Sequence, residues 1–318
     1  MRRNKIGNST VDITELAFGA AGIGNLYTQV APEEAREAVD AAWESGIRYF
    51  DTAPHYGLGL SERRLGEALR DRPRGEYVIS TKVGRLLEPD SGEGDDLGNG
   101  FAVPATHRRV WDFSADGVRR SIEDSLVRLG LDRIDIAYLH DPDGHAAEAF
   151  GAAYPALEKL RSEGVVGAIG AGMNQTAMLT RFLRDTDVDL VLCAGRYTLL
   201  DGSALTTLLP EATARGRSVV VGGVFNSGLL ADPRPGATYD YSAAPAAVLD
   251  RALRMKAVCE RYGVPLRAAA LRYPQRHPAV AGVLVGTRSA AEVRDAAELL
   301  GRDIPEALWG ELAELQEV

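Results

Sequence analysis

An aspartate, a tyrosine, a lysine and a histidine stand at or just beyond the ends of three successive apolar runs. Asp51 follows the run 49–50, Tyr56 lies in the next loop, Lys82 ends the run 77–82, and His140 follows the run 134–139. Lys82 is one of only four lysines (Lys5, Lys82, Lys159, Lys256); the remaining basic residues are arginines. A lysine inside a protein is rare unless paired, and Asp51 can pair with it. A free tyrosine titrates at about 10, too high for a ready proton shuttle at neutral pH. A nearby ammonium favours the phenolate and lowers that value, while a carboxylate on the lysine keeps it charged. The histidine can donate a hydrogen bond to the reacting oxygen. Together these groups form an acid/base centre for interconverting an alcohol and a carbonyl without a metal.

The four act as a set only if the runs that carry them lie side by side and point the same way. Eight short β-branched or apolar runs (16–19, 49–50, 77–82, 134–139, 166–171, 190–193, 218–221 and 282–285) alternate with amphipathic stretches. Pro32 suits the first turn of a helix that presents Ala35, Val39 and Trp43 on one face and stops at Gly46. Ser114 can cap a helix with Val118, Ile122, Leu126 and Leu129 inward, ending at Gly130, and Tyr154, Leu157 and Leu160 form another stripe closed by Gly164. This alternation predicts a (β/α)8 barrel, one domain over 1–318, with all strand C-termini opening on one mouth. A doubly wound dinucleotide fold is disfavoured: the glycines at 19–24 and at 167–172 read G-x-x-G-x-G, not G-x-G-x-x-G. Those glycines are read instead as permitting tight strand ends. Two stretches break the rhythm, 84–112 and 231–244. Both are expected as long loops on the C-terminal face, where barrel sites are built.

Composition excludes several alternatives. The chain carries 36 basic and 45 acidic residues, a formal charge of −9, which disfavours nucleic-acid and anionic-membrane partners. No apolar run is long enough to span a membrane, and the N-terminus lacks the apolar stretch of a secretory signal. Cys193 and Cys259 cannot build a disulfide framework and are read as core residues. A cytoplasmic monomer or weak homo-oligomer is expected. A metal-dependent hydrolase is the rival enzyme class, with His140, Asp143 and His145 close together and His55 across the mouth. Five histidines without an H-x-H after the first strand make a poor set for it, so no metal is expected.

The motifs carry a resemblance. GIRYFDTAPHYGLGLSE at 46–62 and SLVRLGLDRIDIAYLH at 125–140 resemble the two signatures of aldo-keto reductases, and VGTRS at 285–289 resembles that family's cofactor-phosphate loop. The resemblance runs from about 16 to 300 and implies an Asp–Tyr–Lys–His tetrad, which falls on Asp51, Tyr56, Lys82 and His140. It also implies a nicotinamide cofactor, NAD or NADP, held by Gly286, Thr287, Arg288, Ser289, Glu292 and Asp295. Arg288 would suit the 2′-phosphate of NADP, whereas the carboxylate of Glu292 would repel it; NAD is slightly favoured.

The nicotinamide pocket departs from the family pattern. Asn174 stands in for a Ser-Asn pair, Ala194 for a glutamine, and Phe225 is the nearest aromatic to the position of a stacking tyrosine. The blocks GAGMNQ, CAGRYTLL and VGGVFNSGLL are similar to a branch that oxidises aldoses of the L-fucose, L-galactose or D-arabinose type at C1, with relatives acting on pyridoxal. The small-molecule substrate implied is therefore a sugar or a carbonyl compound, with Trp111, Tyr197 and the stretch 84–112 on the sugar side. Ordinary aldehyde or ketone reduction is the nearest alternative. A non-catalytic, cofactor-binding regulatory barrel is the further one.

Overall fold

Strands buried on both faces read as unbroken apolar runs, and the runs at 16–19 through 282–285 become the staves of a closed barrel. In the computed structural model the staves are β1 (Leu16–Gly19), β2 (Tyr49–Asp51), β3 (Val78–Val83), β4 (Ile134–His140), β5 (Val166–Met173), β6 (Leu190–Ala194), β7 (Ser218–Gly222) and β8 (Val280–Gly286). Each pairs in parallel with the next, and β8 closes the ring on β1. The expected runs match these strands to within two residues at each end. The structure describes residues 1–90, 92–240 and 242–316; Ser91 and Tyr241, which fall in the two stretches read as loops, and residues 317–318 of the expected domain lie outside the described residues.

The helices follow the local signals. Pro32 starts Pro32–Glu44, with Ala35 and Val39 buried and Trp43 half-buried beneath the Arg48 guanidinium. Ser114 caps Ala115–Leu129 by accepting from Gly117 N at 3.0 Å, and Gly130 ends it in the left-handed region. Val118, Ile122 and Leu129 face inward as expected, while Leu126 is half-buried. Tyr154–Ser162 buries Leu157 and Leu160. Glycine in β5 answers a steric demand: a Cβ on Gly170 would lie 2.2 Å from the carbonyl oxygen of Leu190 on β6.

Three features depart from the sequence reading. The N-terminus forms an antiparallel hairpin, Arg3–Lys5 with Asp12–Thr14, whose Ile13, together with Ile6 just past the first strand, joins Ala17, Tyr49, Ile136, Tyr138 and Leu190 in the core inside the barrel. The stretch 84–112 is not irregular. Arg85–Pro89 pairs antiparallel with His107–Trp111, and Asp95–Asp96 pairs with Phe101–Pro104, so the insertion is a layered hairpin. The stretch 231–244 likewise contains the pair Thr238–Tyr239 and Ser242–Ala243. Such short antiparallel pairs with mixed exposure leave no period to read.

Candidate active site

Inside the barrel the apolar core gives way, near the strand C-termini, to a polar floor. Asp51 ends β2, Lys82 lies on β3 and His140 ends β4. Lys82 Nζ donates to Asp51 Oδ1 at 2.6 Å and to the Thr52 carbonyl at 2.8 Å, while Ser80 Oγ donates to Asp51 Oδ2 at 2.7 Å. Both members of the ion pair are buried. The loop after β2 is pinned by Ser61, whose Oγ lies 2.8 Å from Thr52 Oγ1 and donates to the Ala20 carbonyl. That loop sets the Tyr56 ring 4.7 Å from the Lys82 ammonium and perpendicular to the His140 ring at 5.9 Å. The four residues read from the sequence are thus brought together.

Their electrostatics differ from the simple expectation in one respect. Burial pulls the Lys82 ammonium down, but Asp51 and Tyr56 outweigh it and hold the group above its ordinary value, so it stays charged. Burial pushes the Tyr56 phenol up; Lys82 opposes this by charge and hydrogen bond, yet the net direction is upward, not the lowering expected from the lysine alone. Dehydration of the ring's surroundings exceeds the pull of an ammonium that Asp51 already occupies. Burial, followed by Arg85, Lys82 and His55, drives His140 well below the ordinary imidazole value, so it is neutral. As the base for an alcohol Tyr56 would have to be deprotonated, and in that role kcat/KM for alcohol oxidation is expected to climb with pH beyond the usual tyrosine value. A neutral His140 adds no histidine limb at pH 5–7. A pH–rate profile checks this; a limb at the ordinary histidine pKa would contradict it.

Above this floor opens a cavity of about 470 Å³ lined by Tyr56, His55, Lys82 and His140, by Met173, Asn174 and Ala194 at the ends of β5 and β6, and by Leu26, Tyr27 and Phe101. Phe101 comes from the insertion, whose Gly100 carbonyl accepts from Tyr27 N at 2.7 Å. The stretch 84–112 therefore supplies a wall, but through Asn99, Gly100 and Phe101. Trp111 is 44% exposed, stacks on Phe113 and lies under the Arg85 guanidinium, outside the lining. Tyr197 is also outside: it is buried against Tyr273 at 5.1 Å, facing a separate cavity with Trp309. Neither tryptophan nor tyrosine type reveals which way a loop turns. His55, Tyr27 and Phe101 were missed as wall residues; the signal available was the aromatic after Gly100 in an otherwise polar stretch.

The residues beyond β8 fit a dinucleotide phosphate. Ser289 caps the helix Ala290–Leu300 by accepting from Glu292 N at 3.3 Å, and such an N-terminus attracts anions. Among the described residues, Thr287 Oγ1 beside it is buried without a hydrogen-bond partner. Gly22 packs so closely here that a Cβ would lie 2.6 Å from the Thr287 carbonyl oxygen. Glu292 is already engaged: Oε2 accepts from Arg288 N at 2.8 Å, and Oε1 lies 3.6 Å from Arg288 Nε. Asp295 is held by both terminal nitrogens of Arg267 at 2.8 and 3.1 Å. Asn174 lines the cavity, whereas Phe225 is half-buried against the main core and absent from the lining. Among the described residues no group of three or more His, Cys, Asp or Glu is placed to hold a metal ion.

A model of the "Aldo/keto reductase family" matches residues 15–317. The chain belongs to the aldo/keto reductase family. It is an oxidoreductase of a family that uses a nicotinamide cofactor. The chain is 48% identical to D-threo-aldose 1-dehydrogenase of a Pseudomonas species, covering 95% of this chain and 94% of the relative. It is 40% identical to pyridoxal 4-dehydrogenase of Microbacterium luteolum, over 96% and 95%. Among solved structures it resembles the holo form of the aldo-keto reductase AKR11C1 from Bacillus halodurans, with a TM-score of 0.79, 27% identity and coverage of 100% and 97%. Among the described residues, this aldo/keto reductase has no helix long and apolar enough to cross a membrane.

Proposed function

We propose that this enzyme oxidises an aldose of the L-fucose, L-galactose or D-arabinose type at its anomeric carbon, giving the lactone. The observation that carries the reading is the Asp51–Lys82–Tyr56–His140 cluster at the floor of a cavity walled on one side by Phe101. The 48% identity to an aldose 1-dehydrogenase supports the choice of substrate. Tyr56 takes the proton of the C1 hydroxyl. Lys82 stabilises the phenolate before that transfer, and Asp51 anchors Lys82. His140, neutral, hydrogen-bonds the C1 oxygen and orients it. A nicotinamide, when bound, supplies the acceptor for the C1 hydride, so the two electrons leave with that hydrogen as the carbonyl forms. Thr287, Ser289 and the helix behind them would hold its phosphates, and Asn174, which lines the cavity, would grip its carboxamide.

NAD is favoured over NADP because Glu292 already pairs with Arg288, the residue that would meet a 2′-phosphate. Glu292→Gln is expected to raise the NADP/NAD ratio of kcat/KM severalfold; an unchanged ratio would remove Arg288 from cofactor choice. The buried, free thiols of Cys193 and Cys259 suit a reducing compartment.

A second reading, turnover of a pyridoxal-type substrate, is favoured by the aromatic wall at Phe101 and the 40% identical relative. Initial rates of NADH and NADPH formation with L-fucose, L-galactose, D-arabinose, D-glucose and pyridoxal separate the two. Oxidation of the first three sugars supports the aldose reading. Pyridoxal alone supports the second, and silence on all five overturns both.

A further inference from the structure

His55 lines the cavity one residue before Tyr56, and the reading above gives it no task. Its ring centroid lies 6.0 Å from that of Tyr56, 5.7 Å from that of His140 and 5.2 Å, edge-on, from that of Phe101. Behind it stands Arg109 from the return strand His107–Trp111 of the insertion. Arg109 Nε donates to His55 Nδ1, and Arg109 Nη2 donates to the His55 carbonyl at 2.9 Å. The same guanidinium grips Asp96 through Nη1 at 2.8 Å and Nη2 at 2.6 Å, and both side chains of that pair are largely buried. A further bond from Asn99 Nδ2 to Asp96 Oδ1 at 2.8 Å completes the network.

Chemistry fixes the state of the imidazole. A guanidinium has only donors and does not deprotonate, so Nδ1 must present its lone pair and the ring proton must sit on Nε2. Among the described residues no hydrogen bond engages Nε2, and it is not among the sealed, unpartnered atoms, so it opens on the cavity. The groups facing the ring are Arg109 behind, Arg85 and Lys82 to the side, and neutral His140 and Tyr56. Burial and then the three cations push His55 down to about 2, so it gains no proton at neutral pH. A neutral imidazole with its acceptor nitrogen occupied is a fixed, one-proton donor opening on the cavity.

We propose that His55 Nε2 reads a hydroxyl on the carbon adjacent to the one oxidised, and that Arg109 and Asp96 are positioning residues that hold it in the donor tautomer. The inference rests on the proposed placement of the reacting carbon between Tyr56 and His140; a ring about 6 Å from both meets the neighbouring carbon. A substrate lacking that hydroxyl leaves a partly buried N–H without an acceptor, which a hydrogen-bonding site rejects. The ligand class is thus an α-hydroxy carbonyl compound or the hemiacetal formed from one.

The test compares kcat/KM for an aldose and its 2-deoxy analogue, and in the reductive direction for glycolaldehyde and acetaldehyde. Wild type is expected to favour the hydroxylated partner of each pair by about 10- to 100-fold, and His55→Phe to bring both ratios close to one while retaining turnover of the deoxy substrate. His55→Asn, which keeps a donor, should recover part of the preference. Nitrogen-15 shifts of the histidine rings give a readout independent of turnover: His55 should be the pure Nε2–H tautomer in wild type and a mixture in Arg109→Met. Equal use of both partners by wild type, or an Nδ1–H or charged His55 at neutral pH, overturns the proposal. If no aldose is oxidised, the aldehyde pair and the ring shifts still decide His55, so the two readings fail separately.

Discussion

Tyr56→Phe is expected to lower kcat for C1 oxidation by about 10²- to 10⁴-fold, with cofactor affinity and thermal stability almost unchanged. The substitution removes one hydroxyl and keeps the ring that packs beside Phe101 at 6.1 Å and under the Lys82 ammonium. No other group on the floor can replace it as base. Lys82 is held charged by Asp51, and a charged ammonium accepts no proton. His140 is neutral, but burial and the neighbouring cations hold it well below the ordinary imidazole value, which makes it a weak base. Stopped-flow and steady-state rates with cofactor titration check the split between turnover and binding. A rate near that of wild type would mean that proton transfer does not pass through Tyr56.

Arg128→Met is expected to destabilise the fold by about 3–5 kcal/mol, because it leaves a buried carboxylate without its cation. Glu62 is fully buried on the helix Leu60–Leu69, accepts from Thr81 Oγ1 at 2.7 Å and pairs with Arg128 Nε at 2.5 Å. The pair ties two helices to β3 at the residue before Lys82. A fall in Tm of roughly 5–8 °C corresponds to such a loss in a chain of this size, while kcat of the folded fraction is expected to hold. The double variant Glu62→Gln/Arg128→Met should recover part of the loss, since it removes the unpaired charge. A double variant no more stable than Arg128→Met would show that packing of the arginine stem, not charge, is what matters.

The strands were legible because parallel strands buried on both faces are continuous apolar runs, and a polar residue closing such a run stands out. Asp51, Lys82 and His140 were found in that way, and Tyr56 from its place in the loop that follows Asp51. The ion pair of Arg288 with Glu292 was legible in principle from its i,i+4 spacing on a helix start. The hairpins were not, since strands of two to five residues with mixed exposure carry no period. Tyr197 and Phe225 show a second limit: an aromatic just past a strand end can turn into the mouth or outward onto the helices, and residue type does not decide which. The His55–Arg109 contact spans 54 positions. It depends on the insertion folding back over the mouth, which no local pattern announces.

The most direct measurement uses an aldose deuterated at C1, incubated with the wild-type protein and oxidised nicotinamide cofactor. Deuterium on the reduced nicotinamide and a lactone product, both suppressed in Tyr56→Phe, are the predicted results. Deuterium retained in the sugar, or oxidation at another carbon, would contradict hydride removal from C1 at the Tyr56–Lys82–His140 floor.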